Sequence, residues 1–399
     1  MIISILGTSG AFKNRDSCTP SRDESGKIRF QSAKYNSEIL NKKSGEFKNA
    51  TEFLLQRFDE QFVFIGTRCA IEFQKIVLAE SLEGKRVEYV PIEEDSLDDI
   101  FEKIFEILQH NNNTLLDITH GFRHQPIMAI FASTLSQFLE RKDLKIIFAK
   151  EVEMFKEYTY IYLDEYIEIT QISLLLTGFI RTLNFIPVKN MKLLNNEIFE
   201  DFSKSLLSND MKGVERDYLL LKEELARLEK NKELKHISNL ILKVKSELKP
   251  LEMLPILIPY QKYIVLSKMM VDKNYLVVAL AYIFESLREY CSYRFEAVCS
   301  TIEFKDDYAR NTAVMNTIAN FKQAKFGTEI LVKYRDIYNK NKREFKEVNN
   351  LYNKIRKRRN ALAHINTRSN FEDIKSDLKK IIQKVERLYI DEVLKEIRV

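Results

Sequence analysis

From Met1 to about residue 165 the chain alternates short β-branched and aromatic runs with stretches whose apolar residues recur every three or four positions. Strands are expected at Ile2–Leu6, Gln61–Ile65, Val87–Pro91, Thr114–Ile118 and Lys145–Ala149. Helical periodicity fills Ala50–Phe58, Glu72–Leu82, Leu97–Gln109 and Gln125–Phe138 between them. Strand, helix, strand, helix specifies a parallel sheet with helices on both faces. Such sheets bind ligands beyond the carboxyl ends of their strands. Here those ends read Gly7-Thr8-Ser9-Gly10, Gly66-Thr67 and Thr119-His120-Gly121, small and hydroxylated residues where a ligand would sit. Tyr158–Leu163 reads as a last strand. The insertion between Phe12 and Ala50, rich in Lys, Ser and Asn, is longer than a strand–helix connection needs. It is either part of a lid or a decoration, and the sequence leaves both open.

Beyond Ile167 the pattern turns helical. Only 10 glycines and 7 prolines in 399 residues punctuate the backbone, against the usual ~7% and ~5%, which favours long helices over a turn-rich all-β fold. The stretch Ile172–Phe185 is apolar on most sides, as suits a helix packed between domains or subunits. Val214, Tyr218, Leu221, Leu225 and Leu228, then Ile237, Ile241, Val244 and Leu248, step by four and three around Asn231. They describe a helical hairpin with solvated Lys/Glu faces, a structural arm or linker. Pro250, Pro255 and Pro259 mark a boundary, followed by helices at Tyr275–Phe295, Phe345–Ala363 and Phe371–Ile397. The expected organisation is therefore α/β plus all-α: a Rossmann-like domain over 1–166, a helical linker over 167–255 and an all-α domain over 256–399.

Sixty-three basic against 58 acidic side chains leave a net charge of +5, so affinity for nucleic acid must come from local clusters. Cys18, Cys69, Cys291 and Cys299 are too few and too scattered for a disulfide framework, and neither C-x-x-C nor H-E-x-x-H occurs. No structural zinc or other metal is expected. The longest apolar run, Tyr275 to Phe284, is half the ~20 residues of a membrane span. With no basic segment before its apolar start, the chain is expected to be cytoplasmic, with no membrane partner.

Two motifs carry chemistry. The first is Arg359-Asn360-Ala361-Leu362-Ala363-His364, following the basic run Lys354-Ile355-Arg356-Lys357-Arg358. Histidine can take the proton of a ribose 2′-hydroxyl or return one to the leaving 5′-oxygen near neutral pH. Arginine can hold the phosphate and stabilise the charge that builds on it. Asn360 and His364 share a helix face, whereas Arg359 lies about 140° round from His364 and about 7.5 Å along an ideal helix. One helix aims the pair poorly at one phosphate; two facing helices in a two-fold dimer would aim it well.

The second is Asp117-Ile118-Thr119-His120-Gly121-Phe122-Arg123, a strand end entering a glycine turn and then a helix, with Pro126 in its first turn. A helix N-terminus offers free N–H groups to phosphate, and Thr119 and Arg123 add donors. Asp117 is expected to hold the loop by local hydrogen bonds. Neither a P-loop Gly-Lys-Ser/Thr nor G-x-G-x-x-G occurs, so nothing positions a nucleoside triphosphate with magnesium.

The D-x-T-H-G-F-R stretch resembles the DxTHG group of CRISPR-associated proteins, and the R-N-x-x-x-H helix resembles the catalytic motif of HEPN ribonucleases. In this order they make the chain similar to the CARF–HEPN effector ribonucleases of type III CRISPR systems. The resemblance covers most of the chain, although the linker matches only in being helical. It implies a homodimer whose paired CARF domains bind a cyclic oligoadenylate as allosteric activator, cyclic tetra-adenylate ahead of hexa-adenylate, with no cofactor. It implies a composite HEPN site cutting single-stranded RNA without metal, leaving 2′,3′-cyclic phosphate ends, in antiviral defence. Arg359 and His364 match the defining HEPN positions and Asn360 the frequent residue between them; Arg358 also satisfies the looser spacing, so the choice of arginine stays open. Thr8, Ser9 and Gly10 match the first ligand loop, Thr119, His120, Gly121 and Arg123 the DxTHG loop, and Gly66 and Thr67 close a neighbouring strand. The helix Ile172–Phe185 is the candidate coupling element by its place in the chain. Two alternatives stand beside this reading. The first domain could itself degrade the cyclic ligand, with Thr8, Ser9, Thr119 and His120 orienting a 2′-hydroxyl. Or the chain could be a non-catalytic sensor whose Lys354–Arg359 cluster binds nucleic acid or a protein.

Overall fold

The computed structural model describes residues 1–14, 17–140, 143–188, 191–300, 303–319, 339–363 and 370–398. They form two compact units, Met1–Ile172 with Val188–Leu194, and Ser173–Pro187 with Asn195–Val399.

The first unit is built on strands β1 (Ile2–Ile5), β2 (Ala33–Asn36), β3 (Gly45–Phe47), β4 (Phe62–Thr67), β5 (Val87–Ile92), β6 (Asn113–Asp117), β7 (Asp143–Glu153) and β8 (Glu157–Tyr162). They lie in one sheet in the order β3-β2-β8-β7-β6-β1-β4-β5. β1 pairs in parallel on both sides, with Ile3 opposite Val63 of β4 and Leu116 of β6. A strand paired on both edges and covered on both faces has no polar side to show, and all of Ile2–Ile5 is buried.

Alternation then sorts the apolar residues. Ile2, Phe62 and Phe64 turn toward Phe53 of helix α1 (Ala50–Arg57) and Phe73 of α2 (Arg68–Val77), which a short α3 (Ala79–Leu82) follows. Ile3, Ile5, Val63 and Ile65 turn the other way, toward Ile100 and Ile104 of α4 (Leu97–Gln109) and Ala129 and Ala132 of α5 (His124–Glu140). The chain moves from β1 through β4 to β5, then returns to place β6 on the other side of β1. The carboxyl ends of β1 and β6 thus adjoin at a topological switch point, where doubly wound sheets open a crevice. Pro91 sits in β5, an edge strand, where its missing N–H is tolerated.

The expected strands and helices of this half are all present, and the insertion adds two strands that periodicity did not show. β2 runs parallel to β8, with Tyr35 opposite Tyr158, and antiparallel to β3. Tyr35 stacks on Tyr158 at 5.1 Å between ring centroids, and Phe53 lies 4.9 Å from Tyr160. This half of the insertion is sheet edge and core. The other half folds on itself through bridges Ala11–Phe30, Lys13–Pro20 and Arg22–Ile28. It is also tied by a disulfide between Cys18 and Cys69, 51 residues apart, which corrects the expectation drawn from cysteine spacing. The loop brings Cys18 against the first turn of α2, a proximity that sequence separation does not reveal.

Helix α6 (Asp164–Thr182) begins in the first unit and continues into the second. It starts earlier than the apolar stretch suggested and stops at Leu183, whose φ of +53° breaks the helix. The second unit adds α7 (Asn196–Leu207), α8 (Met211–Lys230), α9 (Ser238–Leu248), α10 (Pro259–Asp272), α11 (Leu276–Arg294), α12 (Glu296–Cys299), α13 (Asp307–Ala319), α14 (Lys342–Ala363) and α15 (Phe371–Ile390). Asn274 joins α10 to α11 in the left-handed conformation that asparagine tolerates, φ +69°, and Tyr275 N–H closes back on the Met270 carbonyl at 2.8 Å. Tyr260, Tyr290 and Tyr389 pack with centroids 4.5 to 5.0 Å apart. The Tyr290 hydroxyl donates to the Val393 carbonyl at 2.6 Å, satisfying a polar group that burial would otherwise penalise. The last helix ends at Ile390, short of the expected Ile397, because the chain turns at Glu392 and Leu394 and tucks Leu394 and Ile397 into the bundle. Among the described residues no helix is long and apolar enough to cross a membrane.

If Tyr35 is core, Tyr35→Ala should cost about 3–5 kcal/mol in urea unfolding. The exposed neighbour Ile39 should tolerate alanine within about 0.5 kcal/mol.

Candidate functional site

At the switch point the loop after β1 meets the loop after β6. A Cβ on Gly7 would lie 2.9 Å from the Gly121 nitrogen, so the contact admits only hydrogen there. Gly10 and Gly121 both adopt positive φ, +93° and +99°, and a Cβ on Gly121 would meet Ile5 and Gln125 at 2.6 Å. The first loop is held from below by two amides. Gln74 Nε2 donates to the carbonyls of Gly7 (2.6 Å) and Ser9 (3.0 Å), while Asn49 Nδ2 donates to Ser9 O (3.1 Å) and Gln74 Oε1 (3.0 Å). Asn49 also caps α1, its Oδ1 accepting from Glu52 N–H at 2.9 Å.

The second loop is anchored by Asp117, as expected. Ser4 Oγ donates to Oδ2 at 2.7 Å, and Thr119 donates to Oδ1 through its hydroxyl (2.5 Å) and its N–H (3.1 Å). Burial pushes the Asp117 carboxyl above its ordinary range, and these hydrogen bonds hold it back. Thr119 Oγ1 in turn accepts from Ala149 N–H at 2.9 Å, so its hydroxyl is committed on both sides to the scaffold.

His120 sits where the two loops and α1 meet. Its Nε2 accepts the Ala50 N–H at 3.2 Å, which leaves the ring proton on Nδ1, and Ser9 Oγ lies 3.4 Å from both ring nitrogens. Although part of the residue still meets solvent, desolvation pushes the imidazole down to about 4, so it is neutral at pH 7. Thr67 is buried and caps α2 by accepting from Ala70 N–H at 3.2 Å, and Gly66 packs on Leu6. Thr8, Gly121, Phe122 and Arg123 face solvent. Gln125, in the first turn of α5, keeps its Nε2 buried without a hydrogen-bond partner. The crevice therefore presents an exposed guanidinium, an exposed hydroxyl and glycine backbone where a phosphate could approach, over a support of Asn49, Gln74, Asp117 and His120. Of that support, Asp117 and His120 stand in the D-x-T-H-G stretch the sequence singled out, whereas Asn49 and Gln74 went unread.

In the second unit, α14 carries the arginines to the edge of α11. Arg358 is held by Asp377, its Nε 2.9 Å from Oδ2, and Lys354 shares the same carboxylate at 2.6 Å. Burial works to raise the Asp377 carboxyl, but pairing with Lys354 and Arg358 outweighs it and holds it low. Arg359 instead lies over the Phe284 ring, 4.3 Å from its centroid, a contact that leaves guanidinium N–H groups available. Phe284 stacks on Tyr352 at 5.2 Å. Arg288, buried one turn along α11, donates to Thr312 Oγ1 at 2.6 Å and pairs with Glu285 at 3.0 Å. Asn360 is exposed beside Arg359, and His364 lies outside the described residues. The sequence offered no sign of Phe284, which the all-round apolar character of α11 conceals. Among the described residues no group of three or more His, Cys, Asp or Glu side chains is gathered to hold a metal ion.

No family model and no curated protein matches the chain. Among solved structures it is similar to Csm6 of Enterococcus italicus bound to cyclic hexa-2′-fluoro-hexa-dAMP, at 13% identity and a TM-score of 0.38, over 100% of this chain and 98% of that chain.

His120 yields a pH test. Its folded pKa of about 4 lies below the unfolded value near 6.5, so protonation favours the unfolded chain. Stability should be full above pH 6.5 and fall as pH drops toward 4. In His120→Gln, whose amide oxygen can still accept the Ala50 N–H, the slope of melting temperature against pH across that window should shrink.

Proposed function

We propose that the chain is a cyclic oligoadenylate-activated endoribonuclease of the CARF–HEPN kind, sensing through the switch-point crevice of the first unit and cutting single-stranded RNA with α14 of the second. What carries the reading is the pairing of D-x-T-H-G-F-R at the crevice of a Rossmann-like sheet with R-N-x-x-x-H at the end of a helix in an all-α unit. In the first unit, Arg123 and Thr8 contact ligand phosphate, Gly10 and Gly121 give the backbone room to approach it, and Ser9 and His120 fix the loops. His120 acts by position: its Nε2 is engaged by a backbone N–H, which favours sensing over degradation of the ligand.

In the second unit, His364 takes the 2′-hydroxyl proton or protonates the departing 5′-oxygen, and Arg359 stabilises the charge on the phosphate. Arg359 is the catalytic arginine, because Arg358 is engaged by Asp377 while Arg359, above Phe284, makes no ion pair among the described residues. Asn360 orients the strand beside them. The nucleophile is the RNA's own hydroxyl, so no metal enters and the products end in 2′,3′-cyclic phosphate. The site is shared in a homodimer, since an ideal helix would turn Arg359 and His364 about 140° apart. Cyclic tetra-adenylate is the preferred activator; a two-fold dimer presents like loops to each half of the ring.

The test is cleavage of labelled single-stranded RNA in EDTA, with and without each cyclic oligoadenylate. Cutting should need the ligand and survive the chelator; a strict magnesium requirement overturns the mechanism. Arg359→Ala and His364→Ala should each lower cutting by at least 100-fold, on the order of an acid–base or charge-stabilising group, and leave ligand affinity within a few-fold. Arg358→Ala should retain most activity. Mixing Arg359→Ala with His364→Ala subunits should restore ligand-dependent cleavage if the pair is drawn from both subunits.

A further inference from the structure

Between α14 and α15 lies a groove of about 440 Å³ whose walls carry Arg343, Lys346 and Lys354 from one helix and Lys384 and Arg387 from the other, against a single carboxylate, Glu347. Five cations to one anion is far from the balance of the whole chain, 63 to 58. Another cavity of the same unit makes the contrast plain: about 630 Å³, it is lined by Glu289, Glu296, Asp306 and Asp307 with only Arg310 opposing them. Lys354 is neutralised by Asp377. Arg343, Lys346, Lys384 and Arg387 make no ion pair among the described residues, and all four are exposed. Holding unpaired like charges along two facing helices costs stability through mutual repulsion, and a polyanion seated between them removes that cost.

We infer that this groove binds the phosphate backbone of the RNA strand, upstream or downstream of the bond that is cut. The assignment rests on the ribonuclease reading above and adds to it the residues that hold substrate away from the reacting phosphate. The row on α14 covers about 17 Å from Arg343 to Lys354, and Arg359 lies about 7.5 Å further along the same axis. A single phosphate or mononucleotide cannot neutralise the four unpaired cations on the two walls, whereas a chain of phosphates can. The row also points along the helix toward the R-N-x-x-x-H end. Because the contacts are charge to phosphate, they carry no base preference.

The test measures anisotropy of a short fluorescein-labelled RNA, 2′-O-methylated so that no hydroxyl can attack, on the full chain with cyclic tetra-adenylate present. Lys384→Glu with Arg387→Glu should raise Kd at least tenfold and lower the slope of log K against log salt by about 1–2. Arg343→Gln with Lys346→Gln, on the opposite wall, should weaken binding in the same direction. Lys222→Glu with Lys230→Glu on the exposed face of α8 should leave Kd within twofold, and melting temperature should show all three variants folded. Groove variants that fold and bind like the parent, while the parent binds and cuts RNA, overturn the groove and leave the nuclease standing. A parent chain that neither binds nor cuts RNA with any cyclic oligoadenylate overturns both.

Discussion

The buried carboxylate of Asp117 is the constraint on which the first unit's site depends. It receives Ser4 from β1 and Thr119 from the loop after β6, and Thr119 receives the Ala149 N–H from β7. Three neighbouring strands are thereby joined where β1 and β6 end beside the continuing β7, and where pairing between them runs out. A carboxyl in that position is costly unless every lone pair is met. The exposed parts of the crevice, Thr8 and Arg123, can be placed by the scaffold because Asp117, Asn49 and Gln74 have already removed the freedom of the backbone beneath them.

The two units meet their polar demands differently. In the sheet, amides, a neutral imidazole and the buried carboxyl of Asp117 cap helix ends and hold loops, and Arg123 is the charge the site exposes. In the helical unit the polar residues are mostly ions, and what matters is which of them are paired. Asp377 takes Lys354 and Arg358, Glu285 takes Arg288, and the aromatic face of Phe284 supports Arg359 without consuming its donors. Successive arginines on α14 thus have unlike fates. A helical step of about 100° is enough to turn one toward a carboxylate and the next toward a ring.

Much of this was legible in the sequence. Strands with continuous apolar runs, such as Ile2–Ile5, and helices with a clean stripe, such as Leu97–Gln109, are found where periodicity put them. β2 and β3 were not, because strands of four and three residues in a Lys/Asn-rich stretch are too short to alternate visibly; they are held by pairing to β8 and by Tyr35. The Asp117 loop was readable because its hydrogen bonds are local. His120 was singled out with that loop, but its bond to Ala50 was not readable, nor was Gln74, since each acts on a residue about 65 or more positions away. In the helical unit, pairing between α14 and α15 separates Arg358 from Arg359, and spacing alone could not.

The Cys18–Cys69 bond has a consequence for the integrity of the first unit. It closes a covalent ring that encloses β2, β3, α1 and β4, while β1 and the remaining strands lie outside it. By loop length alone such a ring reduces the freedom of the unfolded chain by roughly 4 kcal/mol. It also changes what a protease can accomplish. The tip of the enclosed loop at Glu24-Ser25-Gly26 is exposed, the kind of site where nicking concentrates. A cut there opens the ring without releasing a fragment, and the severed chain keeps its mass and its sheet until a reductant parts the two sulphurs.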